Sequence, residues 1–246
     1  PVFHDDQHGT AVVVLASLIN AAKCIGKPLS AIRTVISGAG AAGISICRLL
    51  LKAGVEDIVL CDRSGAIYAG REGLNSAKEA IAAVTNRSMC KGSLADAMVG
   101  CDLFIGVSGP GIVTPDMVRS MADKPIIFAL SNPTPEIMPD AAKDAGFQML
   151  LTANNHSLDT GLVGFKRTLQ VVREKGLETL GTYLTADEKK WTIVNVNGIN
   201  LGMVCYTYSD GFNQSGKPVL NFVNELSEDG LLNYFTYDRL PEFYAE

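Results

Sequence analysis

The residues whose types and spacing best suit chemistry are the glycines of Gly38-Ala39-Gly40-Ala41-Ala42-Gly43 and the acid Asp62, which ends the next apolar run. Together they suit the grip of a diphosphate and its sugar. Gly38 can take a tight turn out of a strand, Gly40 lets the main chain approach a pyrophosphate, and Gly43 lets the next helix pack closely on the sheet. The amino end of that helix directs unpaired N–H groups and a partial positive charge at phosphates. Asp62 is placed to accept hydrogen bonds from adenine ribose hydroxyls, while Arg63 beside it could pair with a 2′-phosphate. NAD is therefore preferred, with NADP open. The same residues also read as a plain glycine turn with Asp62 as a surface charge.

Two further loops carry polar and small residues that could meet a ligand. In Gly106-Val107-Ser108-Gly109-Pro110, the glycines let backbone approach a cofactor ring or ribose, so Ser108 and Gly109 join the candidate cofactor contacts. In Ser131-Asn132-Pro133-Thr134-Pro135-Glu136, Asn132 offers a donor and an acceptor to a small substrate. Ordinary turn chemistry accounts for either loop taken alone.

The elements that must position these residues alternate helix and strand up to about residue 147, as in a doubly wound parallel sheet covered on both faces. Strands are expected at Thr34–Ser37, Asp57–Cys61, Leu103–Val107, Ile126–Leu130 and Met149–Thr152. Helices are expected at Thr10–Ala22, Ala42–Ala53, Asn75–Thr85, Leu94–Val99, Pro115–Met121 and Asp140–Ala145. Thr10 is suited to cap the first helix, whose apolar residues run nearly all the way round and predict a buried element. On this order the candidate loops all follow strands, at the ligand-binding end of the sheet.

Beyond about residue 150 the pattern changes. Thr192–Val196 and Leu201–Tyr206 flank Asn197-Gly198, a hairpin signal, which predicts a smaller α+β unit with antiparallel strands. No Pro-, Gly- or Ser-rich linker separates the two, and the boundary falls within Asp140–Leu151, giving domains at residues 1–147 and 148–246.

Composition narrows the function classes. At 246 residues and 47% apolar content there is material for a sizeable core. A net charge of −5 without a basic block gives no reason to expect nucleic acid or an anionic membrane as partner. The run from Ala11 to Ala22 is too short to span a bilayer and no signal peptide opens the chain, so the expected location is the cytoplasm. The six cysteines have no CxxC or metal spacing and read as reduced, buried thiols.

The opening Pro1-Val2-Phe3-His4-Asp5-Asp6-Gln7-His8-Gly9-Thr10-Ala11 resembles the signature of bacterial malic enzymes. The likeness continues through Gly38–Gly43, Cys61–Ile67, Gly92–Ala97, Phe104–Pro110 and Ile126–Glu136. It implies a Rossmann-like domain serving oxidative decarboxylation of L-malate to pyruvate, with NAD or NADP as hydride acceptor and Mg²⁺ or Mn²⁺ as electrophile. By the same resemblance Asp6 is a metal ligand with Asp5 beside it, Asn132 contacts the substrate, and the full-length family forms homo-oligomers. Without the family, Asp5 and Asp6 read as anions complementing a helix dipole. The resemblance also implies that the tyrosine acid, the lysine base and the Glu-Asp pair of the metal site lie upstream of Pro1. This chain alone is therefore expected to be inactive, since general acid–base steps are each worth ~10²–10⁴-fold.

From about Gly146 onward the chain is similar instead to CapA-type poly-γ-glutamate capsule synthesis proteins, which resemble calcineurin-like metallophosphoesterases. There Asn154-Asn155-His156 follows a strand, and the resemblance implies metal binding by Asn155 and a phosphate contact by His156. Ser157 stands where that superfamily usually has an acid, and its other metal motifs are missing from this chain, so a metal-free turn is the expected state. The chain thus reads as a join of two truncated families, with a non-catalytic dinucleotide-binding module as a further reading.

Overall fold

Ile36, Leu60 and Ile105 lie side by side on neighbouring strands, each fully buried, and begin the core on which the sheet is built. A computed structural model of the chain describes residues 8–131, 134–153, 157–196, 199–209, 211–212, 218–220, 224–225 and 230–236. The chain divides into two units, Pro1–Ala141 and Ala142–Glu246.

The first unit runs α1 (Thr10–Ile25), β1 (Arg33–Ser37), α2 (Ala41–Lys52), β2 (Asp57–Asp62), β3 (Gly65–Ala66), α3 (Ser76–Ala82), α4 (Leu94–Met98), β4 (Leu103–Gly106), α5 (Pro115–Arg119) and β5 (Ile126–Ala129). The helix α6 (Pro139–Asp144) spans the division. Its five strands are ordered β3-β2-β1-β4-β5. All pairings are parallel except that of the short edge strand β3 with β2. β1, β2 and β4 are buried on both faces, as near-continuous apolar runs require. Ile36, Ile58, Leu60, Leu103 and Ile105 share one core with Val14 and Leu18 of α1 and Ile46 and Leu50 of α2. Val35, Val59 and Phe104 alternate to the opposite face.

The chain moves from β1 to β2 on one side, then crosses to β4 on the other. That reversal opens a crevice between the carboxyl ends of β1 and β4, where open α/β sheets hold ligands.

Several elements differ from the sequence expectation. Thr10 does not cap α1: His8 and Gly9 already form a helical turn, so the threonine lies inside the helix. Nor is α1 buried all round. Ala11, Val14, Leu18 and Ala22 are buried, whereas Val12 and Val13 are 58% and 64% exposed, because a helix laid on one face of a sheet hides only one stripe. Strand β3 lies between Cys61 and Asn75, where no strand or helix is expected above. The run at Met149 does form a strand, but outside the five-stranded sheet.

That run is β6 (Met149–Leu151) of the second unit, which continues with α7 (Gly161–Glu174), β7 (Glu178–Leu180), β8 (Thr192–Val196), β9 (Ile199–Met203) and β10 (Thr207–Ser209). After these come β11 (Gly211–Phe212), β12 (Pro218–Leu220), β13 (Asn224–Glu225) and β14 (Tyr234–Thr236). β6 pairs in parallel with β7. Its apolar content marks it as a strand but carries no information about which partner it takes. Helix α7 is absent from the elements expected above, although Phe165, Leu169 and Val172 recur at helical spacing and are buried. β8 and β9 pair antiparallel with Val196 opposite Ile199, so the second hairpin strand starts two residues earlier than expected. The antiparallel expectation holds also for β11-β12-β13, whereas β10 and β14 pair in parallel. Leu158, Phe165, Leu169, Leu231 and Leu232 form a small core in this unit.

Among the described residues, no helix is long and apolar enough to cross a membrane. Cys47, Cys61 and Cys101 are buried free thiols, and burial pushes each up to about 12. These three should resist a thiol-specific disulfide reagent at pH 8 in the folded protein and react once guanidinium unfolds it. Labelling of any of them at the unfolded rate under native conditions would contradict their burial.

Candidate dinucleotide-binding site

The turn from β1 into α2 is shaped by what a side chain would meet there. Gly38 has φ +114°, and a Cβ on it would lie 2.6 Å from the Val107 carbonyl oxygen. A Cβ on Gly43 would fall 1.8 Å from the Gly38 carbonyl oxygen, so the first turn of α2 rests directly on the chain leaving β1. Gly40, immediately before α2, has extended backbone, and a Cβ there would meet nothing within 4 Å. Ala39, Gly40 and Ala41 also line one end of a cavity of about 560 Å³ that continues along α2 past Ser45 and Arg48. The opening N–H groups of any α-helix lack acceptors within it, so Ala41, Ala42 and Gly43 present donors beside the open space at Gly40.

Asp62, at the carboxyl end of β2, is not an isolated carboxylate. Its Oδ2 accepts from Arg71 Nη2 at 2.5 Å and Lys78 Nζ at 2.6 Å, and its Oδ1 accepts from the Ser64 main-chain N–H at 3.0 Å. Arg71 is itself fixed by donating Nη1 to the carbonyls of Gly65 and Ala66, the residues of β3. Lys78 is set by Asn75, whose side chain caps α3 by accepting from the Lys78 main-chain N–H. Partial burial pushes the Asp62 carboxyl upward, but the hydrogen bonds from Arg71, Lys78 and Ser64 outweigh it and hold the group well below the usual carboxylate range. Arg63, the cation expected to influence this position, is exposed. Arg71 and Lys78 escaped the sequence reading; the only local signal was the Asn75 cap three residues before Lys78.

On the other side of the crevice, Ser108 Oγ lies 3.0 Å from Ser37 Oγ at the end of β1, and Val107 N–H donates to the Ser37 carbonyl. Gly109 has open space where a Cβ would stand. Glu136, fully buried, joins this loop to the one after β5 by accepting from the N–H groups of Ser108 and Ser131, both at 3.1 Å. Nothing in the sequence Ser-Asn-Pro-Thr-Pro-Glu marks its acid as buried. Asp5, Asp6, Asn132, Asn155 and His156 lie outside the described residues. Among the described residues, no group of three or more His, Cys, Asp or Glu could hold a metal ion.

A parallel sheet whose order reverses at a glycine turn, with a helix amino end on one side and an acid closing the next strand, defines the dinucleotide-binding class of α/β protein. The comparisons specify the family. The model for the malic enzyme NAD-binding domain matches residues 7–146, and the chain belongs to that family. The model for the bacterial capsule synthesis protein PGA_cap matches residues 95–232, so the chain belongs to that family as well, from well before the expected junction near residue 146. Residues 95–146 fall within both matches, yet β4 and β5 within them are hydrogen-bonded into the sheet built on β1.

The chain is 54% identical over 156 residues to a bifunctional malic/malolactic enzyme of Bacillus subtilis, covering 63% of this chain and 38% of that protein. It is 49% identical over 146 residues to an NADP-dependent malic enzyme of Halomonas elongata, covering 58% and 34%. The solved NAD-dependent malic enzyme of Thermotoga maritima superposes with a TM-score of 0.57 at 45% identity, covering 59% of this chain and 39% of that one. The chain therefore spans less than two-fifths of the length of these relatives.

Because the fold lowers the Asp62 carboxyl, acidification protonates that group in the unfolded chain first. Its contribution to stability is full above the unfolded value of about 4 and is lost as pH falls from there toward the depressed folded value. In thermal melts, the Tm gap between the parent chain and Asp62→Asn should be widest above about pH 5 and narrow below pH 4. A gap constant across that range would remove the ion cluster from the account of stability.

Proposed function

We propose that the first unit binds NAD or NADP across the crevice between β1 and β4, as the nucleotide-binding part of an enzyme that oxidatively decarboxylates L-malate to pyruvate. The observation that carries the reading is the glycine turn itself: Gly38 and Gly43 pack main chain on main chain, and Gly40 leaves open space beside the amino end of α2. In this reading Gly38–Gly43 hold the diphosphate, Asp62 the adenine ribose, and Ser108 and Gly109 the other half of the cofactor, with Asn132 toward the substrate. The cofactor supplies a hydride acceptor; this chain's residues bind and orient it.

Cofactor choice is broader than Asp62 alone implies. Two cations, Arg71 and Lys78, face that one carboxylate, leaving an excess of positive charge that suits a 2′-phosphate. Asp6, with Asp5 beside it, is proposed as a metal ligand for Mg²⁺ or Mn²⁺, whose chemistry is to polarise substrate oxygens. The described residues do not complete such a site. Homo-oligomerisation and a cytoplasmic location are part of the same proposal.

NADH fluorescence should titrate to saturation with the folded chain. Gly40→Val should abolish the signal while leaving Tm nearly unchanged, because the new side chain enters open space. Lys78→Ala should weaken NADPH more than NADH. Absence of saturable binding at millimolar cofactor would reject the reading.

The capsule-synthesis match supports a second reading, a metal-dependent phosphoester hydrolase using Asn155 and His156. Manganese-dependent hydrolysis of p-nitrophenyl phosphate that is lost in His156→Ala would establish it, and no hydrolysis by the parent chain would dismiss it.

A further inference from the structure

Glu136 is fully buried, and its carboxylate is gripped by main-chain donors from two different loops. Oε1 accepts from Ser108 N–H after β4, and Oε2 accepts from Ser131 N–H after β5, each at 3.1 Å. Main-chain bonds run alongside, from Val113 N–H to the Glu136 carbonyl and from Gly111 N–H to the Pro135 carbonyl. The space for the carboxylate exists because residue 106, at the end of β4, is glycine: a Cβ there would lie 2.3 Å from Glu136 Cδ.

Sheet order says what this bridge can govern. Asp62 ends β2 on one side of β1, while the loops joined by Glu136 follow β4 and β5 on the other. A dinucleotide lying across the glycine turn with its adenine ribose at Asp62 must extend its nicotinamide half over β4 and β5. We infer that Glu136 is a positioning residue that sets the 107–110 loop and Ser131, just after β5, at the spacing required by the nicotinamide half of the cofactor, without touching the cofactor itself. The inference rests on the dinucleotide reading above.

Both carboxylate oxygens act as acceptors, a role an amide cannot fill. In Glu136→Gln the amide nitrogen must face one of the two N–H groups, so one loop is released although volume is kept. Gly106→Ala tests the same clamp without removing the charge, by pushing its carboxylate aside.

The experiment compares NADH with ADP-ribose, which has the diphosphate and adenine ribose but lacks the nicotinamide, by calorimetric titration of the full chain. Each variant should weaken NADH by about tenfold and leave ADP-ribose within about twofold. Amide exchange at Ser108 and Ser131 should quicken in the same variants. Equal weakening of both ligands, unchanged NADH affinity, or loss of the folded state in both variants would overturn the inference and leave Glu136 a structural group. Failure of the parent chain to bind either ligand would instead overturn the dinucleotide reading, and this inference with it.

Discussion

The constraint on which the first unit depends is the contact between the first turn of α2 and the chain leaving β1. The Gly38 carbonyl occupies the place where a side chain at position 43 would stand, and the Val107 carbonyl occupies the place of a side chain at position 38. Main chain thus packs on main chain at the point where the strand order reverses. Any larger residue would lift α2 away from the sheet, and the helix amino end would no longer face the crevice. Of the three glycines, two serve this packing and one, Gly40, leaves room.

Around that contact the crevice is stiffened from both sides by different means. On the β2 side an ion cluster does the work: Asp62 holds Arg71 and Lys78, and Arg71 in turn ties down the two residues of β3. On the β4 side a single buried carboxylate uses main-chain donors, so its charge is satisfied by peptide dipoles of two loops. The first arrangement places cations at the candidate ribose position. The second takes up the N–H groups of Ser108 and Ser131 on the candidate nicotinamide side.

The second unit is organised differently. A parallel β-α-β arrangement from β6 through α7 to β7 is followed by short strands and a hairpin. Buried Asn233 there donates to the Tyr183 hydroxyl and to the carbonyls of Lys190 and Cys205, joining distant parts of the chain through one side chain. The capsule-synthesis match reaches back across β4 and β5, strands that belong by hydrogen bonding to the first unit. Family likeness and structural unit do not share a boundary in this chain.

Much of the first unit was legible in the order of residues. Apolar runs between glycine turns determined which segments became strands, and the Gly38–Gly43 spacing marked the turn. In the second unit the apolar runs flanking Asn197-Gly198, two residues that themselves lie outside the described ones, marked the strands β8 and β9 of the hairpin. These are local properties, written in residues close along the chain. Tertiary structure alone decided that Met149–Leu151 leaves the main sheet for Glu178–Leu180, that only one stripe of α1 is covered, and that Arg71 and Lys78, not Arg63, reach Asp62. It also decided that Glu136 turns inward to bridge two loops. Such pairings join residues held near each other only by the fold, and a side chain's type states what it can bond, not what will stand beside it.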